Sequence, residues 1–290
     1  SATAMGCGLK SWNYSVGLDR NGAACDNLYE LAHGTGLRTG LVTTSELTDA
    51  TPAGFAAHRP SRYDSPEIAG QLAQLKPAVL LGGGAAYFRG IGTPETNHIS
   101  PLIDDGYAYI TEVSELEDAA ADCSRLLGLF YDGQMPLIAD RGEDTRQPTL
   151  ADMSRAALTV LERSPNGFFL MIENEGIDTT SHLNDTVRLL PEVQQFDDAV
   201  AEVVRWAEGR SNVTVMVTAD HECGDLTVTS DVPTVSWGRF GHSNRLVNVY
   251  AQGPGTERFH GQVLDNRWIH SVASGLIQGR MPAAPVEQII

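Results

Sequence analysis

GFFLMIENEGIDTTSH, residues 167–182, decides the fold. A glycine opens a short apolar run that ends in acidic residues, and Asp178 and His182 then follow at a spacing of four. The first half reads as a buried strand and the second as a helical turn that carries both side chains on one face. Strand ends of this kind are where layered α/β proteins place ligands.

The same alternation extends outward. Strands are expected at GLVTT (40–44), AVLLGG (78–83), YAYITE (107–112), GFFLMIE (167–173), VTVMVTA (213–219) and RLVNVYA (245–251). Between them CDNLYELAHGTG reads as a helix stopped by glycine. Thr149 with Asp152 three residues on predicts a capped start for a second helix, with Met153, Ala157, Leu158 and Leu161 on its inner face. Val193, Phe196, Val200, Val203 and Val204 mark a third, and both stripes read as core surface. The pattern predicts a layered α/β domain with a largely parallel central sheet, and the length allows one large domain or two small ones. Residues 132–148, polar and punctuated by glycine and proline, read as a loop.

Net charge is −17, which excludes a nucleic-acid-binding basic face and leaves an anionic substrate needing local positive charge. No apolar run approaches the roughly 18 residues of a membrane span. Cys7, Cys25, Cys123 and Cys223 lack C-x-x-C spacing and are read as buried or paired rather than as ligands.

Three segments carry candidate chemistry. Glu173 closes an apolar strand, where a lone carboxylate is costly unless paired or ligated. Asp178 and His182 suit a single metal ion, although a capping aspartate and a surface histidine produce the same pair. In VTVMVTADHECG a strand ends abruptly in Asp220 and His221, and a turn there lets both approach one ion. His242, between a glycine and the next strand, is by itself an ordinary histidine. Taken in order, these oxygen and nitrogen donors suit more than one divalent cation, the arrangement of a two-metal hydrolase acting on phosphate esters.

With SATAMGCGLK, VTTSELTDATPAGFAAHRPSR, VLLGGG, LLGLFYDGQMP, PTLADM, GFFLMIENEGIDTTSH, VTADHECG and GHSNRLVNVYAQGPG in this order, the chain resembles alkaline phosphatases. The resemblance implies a three-layer α/β/α sandwich with a largely parallel central sheet as a single catalytic domain over residues 1–290, and a cofactor set of two zinc ions and one magnesium ion. Asp178, His182 and His242 would hold one zinc, Asp220 and His221 the other, and Thr51 and Glu173 the magnesium, with Asp49 acting beside that site. Arg62 would clamp substrate phosphate through its planar two-donor fork; without the flanking match it reads as a surface salt bridge. The implied reaction is hydrolysis of small phosphomonoesters through a phosphoserine. Aligning GLK with the family's glycine-lysine segment puts the nucleophile three residues before Ser1, with a further metal-binding aspartate on a strand upstream. A homodimer in the periplasm or outside the cell is also implied.

Two departures from the family pattern stand out. Thr179 occupies a position where relatives carry lysine or histidine, and the short interval from His221 to His242 implies little of the crown insertion of larger relatives. The alternatives are a phosphodiesterase or sulfatase on the same metal scaffold, or a metal-binding but catalytically silent protein.

Overall fold

The computed structural model describes residues 1–90, 96–142, 145–229 and 234–280. Helices α1 (Ala2–Cys7) and α2 (Leu28–Gly34) precede strand β1 (Arg38–Glu46), after which α3 (Ala50–Ala56) and α4 (Ser65–Leu75) lead to β2 (Val79–Gly83). Then come α5 (Ala85–Arg89), α6 (Ile99–Asp104), β3 (Ala108–Ile110), α7 (Leu116–Asp122), β4 (Leu126–Leu129), α8 (Leu150–Leu161) and β5 (Phe168–Glu173). The last third holds α9 (Gly176–His182), α10 (Thr186–Ala207), β6 (Val215–Thr218), β7 (Glu222–Cys223), β8 (Thr227–Thr229), β9 (Thr234–Ser236), β10 (His242–Ser243), β11 (Val249–Gln252) and α11 (Arg267–Ile277).

The central sheet has the order β3-β4-β2-β1-β5, and each neighbouring pair is parallel. Successive side chains leave a strand on opposite faces, so each strand feeds two cores. Leu41, Leu80, Leu127 and Met171 pack with Tyr29, Phe55, Ile68 and Phe88 on one side. Val42, Val79, Leu81 and Leu126 pack with Leu150, Met153, Ala157 and Leu161 on the other. Runs apolar at every position are what a sheet covered on both faces requires.

The predicted α8 cap is present, with the Asp152 amide donating to Thr149 Oγ1 at 3.1 Å and the Thr149 amide donating to Asp152 Oδ2 at 3.1 Å. Residues 132–148 run as a loop with one short 3-10 turn at Ile138–Asp140, positions 143 and 144 lying outside the described residues.

Three expectations need correction. β4 was not among the expected strands, because a four-residue apolar run does not by itself distinguish a strand from a buried helical turn. The segments 213–219 and 245–251 do not extend the parallel sheet; β6 and β11 form a separate antiparallel pair. The apolar stripe of α10 is not sealed core either, since Val193 and Val204 are exposed, and the stripe lines a cavity of about 1940 Å³. β5, unpaired on its outer side among the described residues, and β6 both line that cavity.

α1 and α3 cross with almost no space between their backbones. A Cβ on Gly6 would stand 2.4 Å from the Gly54 carbonyl oxygen, and one on Gly54 would stand 2.7 Å from the Ala2 Cβ. This contact fixes Ser1 and Thr51 relative to each other. Gly6→Ala must push the helices apart and is expected to destabilise the protein by about 1–3 kcal/mol. An unchanged denaturant midpoint for Gly6→Ala would contradict this packing.

Candidate active site

The candidate residues gather at the C-terminal ends of β1, β5 and β6. β1 runs into the turn that carries Asp49 and then α3, which carries Thr51. β5 ends in Glu173 and turns into α9, whose first and last turns hold Asp178 and His182. β6 ends just before Asp220 and His221, and β10 brings in His242.

Residues far apart in sequence thus become neighbours. His182 Nε2 lies 3.3 Å from Asp178 Oδ2 and 3.0 Å from His242 Nε2, and His242 Nε2 lies 3.5 Å from Asp178 Oδ1. His221 Nε2 is 3.1 Å from Asp220 Oδ2, while its Nδ1 is 4.0 Å from Asp178 Oδ1. The His221 and His242 rings stack with centroids 3.5 Å apart. Asp178 Oδ1 and His221 Nδ1 are both shielded from solvent and lack a hydrogen-bond partner. Imidazole nitrogens facing one another and one orphaned carboxylate oxygen leave a surplus of lone pairs, which a divalent ion satisfies. The donor set of imidazole and carboxylate fits zinc.

A second, drier cluster adjoins this one. Glu173 Oε2 accepts from Thr43 Oγ1 at 2.7 Å, and the Thr51 hydroxyl also bonds to this carboxylate. Burial, reinforced by the Asp49 charge, pushes Glu173 up to about 7. Asp49 accepts from Ser45 Oγ at 3.1 Å and from Arg62 Nη2 at 2.5 Å. All-oxygen donors of this kind suit a hard cation such as magnesium. Arg62 is partly buried, so its guanidinium faces the site while tied to Asp49.

Glu175 was not singled out in the sequence, although it lies two residues beyond Glu173. It accepts from Thr179 Oγ1 at 2.8 Å and 2.9 Å through its two oxygens, and from the Gln134 amide. Burial pushes it up to about 8. Thr179 therefore orients a carboxylate at this edge of the site. Cys223, read from the sequence as buried or paired rather than as a ligand, also lies here. Its thiol faces Asp178, and its sulfur lies among the donor atoms of Asp178, His182 and His242, all within 4.8 Å of one another. Burial, with Asp178 adding to it, pushes that thiol up to about 12. The pairing of Cys7 with Cys25 as a disulfide agrees with the expectation for cysteines, whereas the place of Cys223 departs from it.

A family model described as alkaline phosphatase matches residues 1–231. The chain belongs to the alkaline phosphatase family. Alkaline phosphatase 4 of Bacillus subtilis is 36% identical over 234 residues, covering 79% of this chain and 49% of that protein. Alkaline phosphatase of Escherichia coli is 30% identical over 276 residues, covering 80% and 59% respectively. The chain thus spans about half the length of such curated alkaline phosphatases. The solved alkaline phosphatase of the Antarctic bacterium TAB5 superposes with a TM-score of 0.82 at 28% identity, over 96% of this chain and 82% of that one. A variant of that alkaline phosphatase has been solved with magnesium bound in its M3 site. Sharing this architecture, the chain is an α/β protein of alkaline phosphatase fold.

Glu173 and Glu175 bind protons more tightly folded than unfolded, over windows from 4.5 to about 7 and from 4.5 to about 8. Their contribution to stability is complete below 4.5 and is lost as pH rises through those windows. In the presence of a chelator the thermal midpoint is expected to fall from pH 5 to pH 8, and Glu175→Gln to flatten the upper part. A midpoint that climbs with pH over that range would contradict the burial of these carboxyls.

Proposed function

We propose that this protein hydrolyses small phosphate monoesters through a phosphoserine intermediate and releases inorganic phosphate. The observation that carries the reading is the convergence of Asp178, His182, Asp220, His221 and His242, from three distant segments, beside Arg62 and Glu173. In this reading Asp178, His182 and His242 hold one zinc, Asp220 and His221 a second, and Thr51 and Glu173 a magnesium. When bound, such ions lower the pKa of the attacking hydroxyl and water and offset the charge of the phosphoryl group.

The chain's own side chains do the rest. Arg62 binds two phosphate oxygens with its fork, and the 2.5 Å bond that its Nη2 donates to Asp49 Oδ1 sets the plane in which that fork is presented. Ser45 holds the other Asp49 oxygen, so the clamp is fixed from two sides. Thr43 orients Glu173, and Thr179 with Gln134 orients Glu175, keeping both carboxyl groups turned into the site.

The nucleophile in this reading is a serine three positions before Ser1. What supports that placement is Ser1 itself, which heads α1 and lines the same cavity as Arg62, Asp220 and His221. The further metal-binding aspartate belongs to an upstream strand. The cavity between β5 and β6 supports that strand: it presents an open edge on each and apolar side chains such as Phe196, Val200 and Val203 from α10. A strand laid there would join β6 to the parallel sheet and bury the exposed side of α10. Export to the periplasm or cell exterior is supported by the Cys7–Cys25 disulfide, since such bonds persist in oxidising compartments. A homodimer completes the reading.

The test is turnover of a phosphate monoester, a phosphate diester and a sulfate ester by the zinc- and magnesium-loaded protein carrying its upstream segment. Monoester hydrolysis is expected to dominate, and preference for either other ester would overturn the assignment. Removing a charge-assisted bidentate contact costs roughly 1.5–3 kcal/mol, so Arg62→Ala is expected to weaken inorganic phosphate binding on the order of 10- to 100-fold. Calorimetric titration with inorganic phosphate measures this, and equal affinity in the variant would remove Arg62 from the clamp.

A further inference from the structure

β7 and β10 are two-residue strands, and their register sets Cys223 directly opposite His242. Opposed residues in an antiparallel pair project from the same face, with Cβ atoms about 4.5–5.5 Å apart. Cys223 is therefore carried to the side of the ladder that His242 occupies. α9 supplies the opposite wall, and its Asp178 carboxylate lies against the thiol. The resulting group of one carboxylate, two imidazoles and one sulfur, every donor within 4.8 Å of the others, has the size and composition of a tetrahedral zinc site.

We propose that Cys223 is a fourth protein ligand, as thiolate, to the ion held by Asp178, His182 and His242. The inference rests on the metal-site reading above and adds to it a donor that changes the character of the site. On binding, the S–H bond breaks, its proton passes to solvent, and the electron pair of sulfur is donated to the ion. Two anionic donors and two neutral imidazoles then balance a dication without counter-ions from outside. A soft sulfur donor favours zinc, cobalt or cadmium over magnesium or manganese. Four side chains also hold the ion more firmly than three can, and a water or substrate oxygen would enter as a fifth donor.

Cobalt reports this directly, because thiolate ligation gives an intense near-ultraviolet charge-transfer band separate from the weak visible bands of the bound ion. Cys7 and Cys25 are joined, so Cys123 and Cys223 are the free thiols. The full chain, stripped with chelator and titrated with cobalt, is expected to show the band. Cys123→Ala should keep it, and Cys223→Ser should lose it while still binding cobalt. Zinc affinity should fall about 10- to 100-fold in Cys223→Ser, the size of effect typical for groups that tune a bound metal. Zinc should also protect Cys223 from alkylation by iodoacetamide, read by mass spectrometry of the labelled peptide. Cobalt binding without the band, or with a band that survives in Cys223→Ser, overturns the proposal and leaves the Asp178, His182 and His242 reading standing. Failure to bind cobalt at all overturns both.

Discussion

The crowding of carboxylates at one end of the parallel sheet governs this structure. Asp49, Glu173, Glu175, Asp178 and Asp220 meet there, and the guanidinium of Arg62 is bound to the first of them. Like charges brought this close in a partly dry setting repel unless protons or cations intervene. Burial, with the neighbouring carboxylates adding to it, raises the pKa of Glu173 and Glu175, and Asp178 is left with an oxygen that nothing satisfies. On the proposed reading, divalent ions offset the charge of Glu173 and satisfy the orphaned oxygen of Asp178. They supply positive charge inside a chain whose net charge is −17, which is also what an anionic phosphate ester needs in order to approach.

The sheet makes this crowding affordable by spreading the ligands over rigid supports. β1 and β5 are adjacent and in register from Arg38 opposite Phe168 to Thr43 opposite Glu173, so the two strand ends advance together. Thr43 can therefore reach Glu173, and Thr44 can reach Asn174 at the start of the next turn, at 2.9 Å. α9 is held from behind by Glu192, whose buried carboxylate stands where a side chain on Gly176 would have to go. The pieces on the far side of the cavity, β6 with β11 and β7 with β10, hold their ligands by short antiparallel ladders. That half of the site depends on fewer contacts, and a strand between β5 and β6 is what would tie it to the sheet.

Much of this was legible in the sequence because its determinants are local. An apolar run ending in Glu173, a capping pair at Thr149 and Asp152, and an Asp-His pair after a strand each state their own geometry within a few residues. The structure sets Asp178, His182 and His242 in mutual contact and Asp220 against His221. What escaped depends on pairing at a distance. β4 is recognised by its neighbours β2 and β3, the antiparallel course of β11 by its partner β6, and the role of Cys223 by its register with His242. A cysteine without spaced partners in sequence looks idle until a ladder sets it beside an imidazole. Glu175 was equally hidden, since its significance lies in burial and in Thr179 and Gln134, which bond to it.

An anomalous difference map at the zinc edge, from crystals of the protein grown with zinc and magnesium, tests the central claim most directly. The account predicts two zinc peaks, one enclosed by Asp178, His182 and His242 and one beside Asp220 and His221, with a non-anomalous ion near Thr51 and Glu173. Zinc bound elsewhere, with these side chains left facing one another as imidazole and carboxylate pairs, would contradict it.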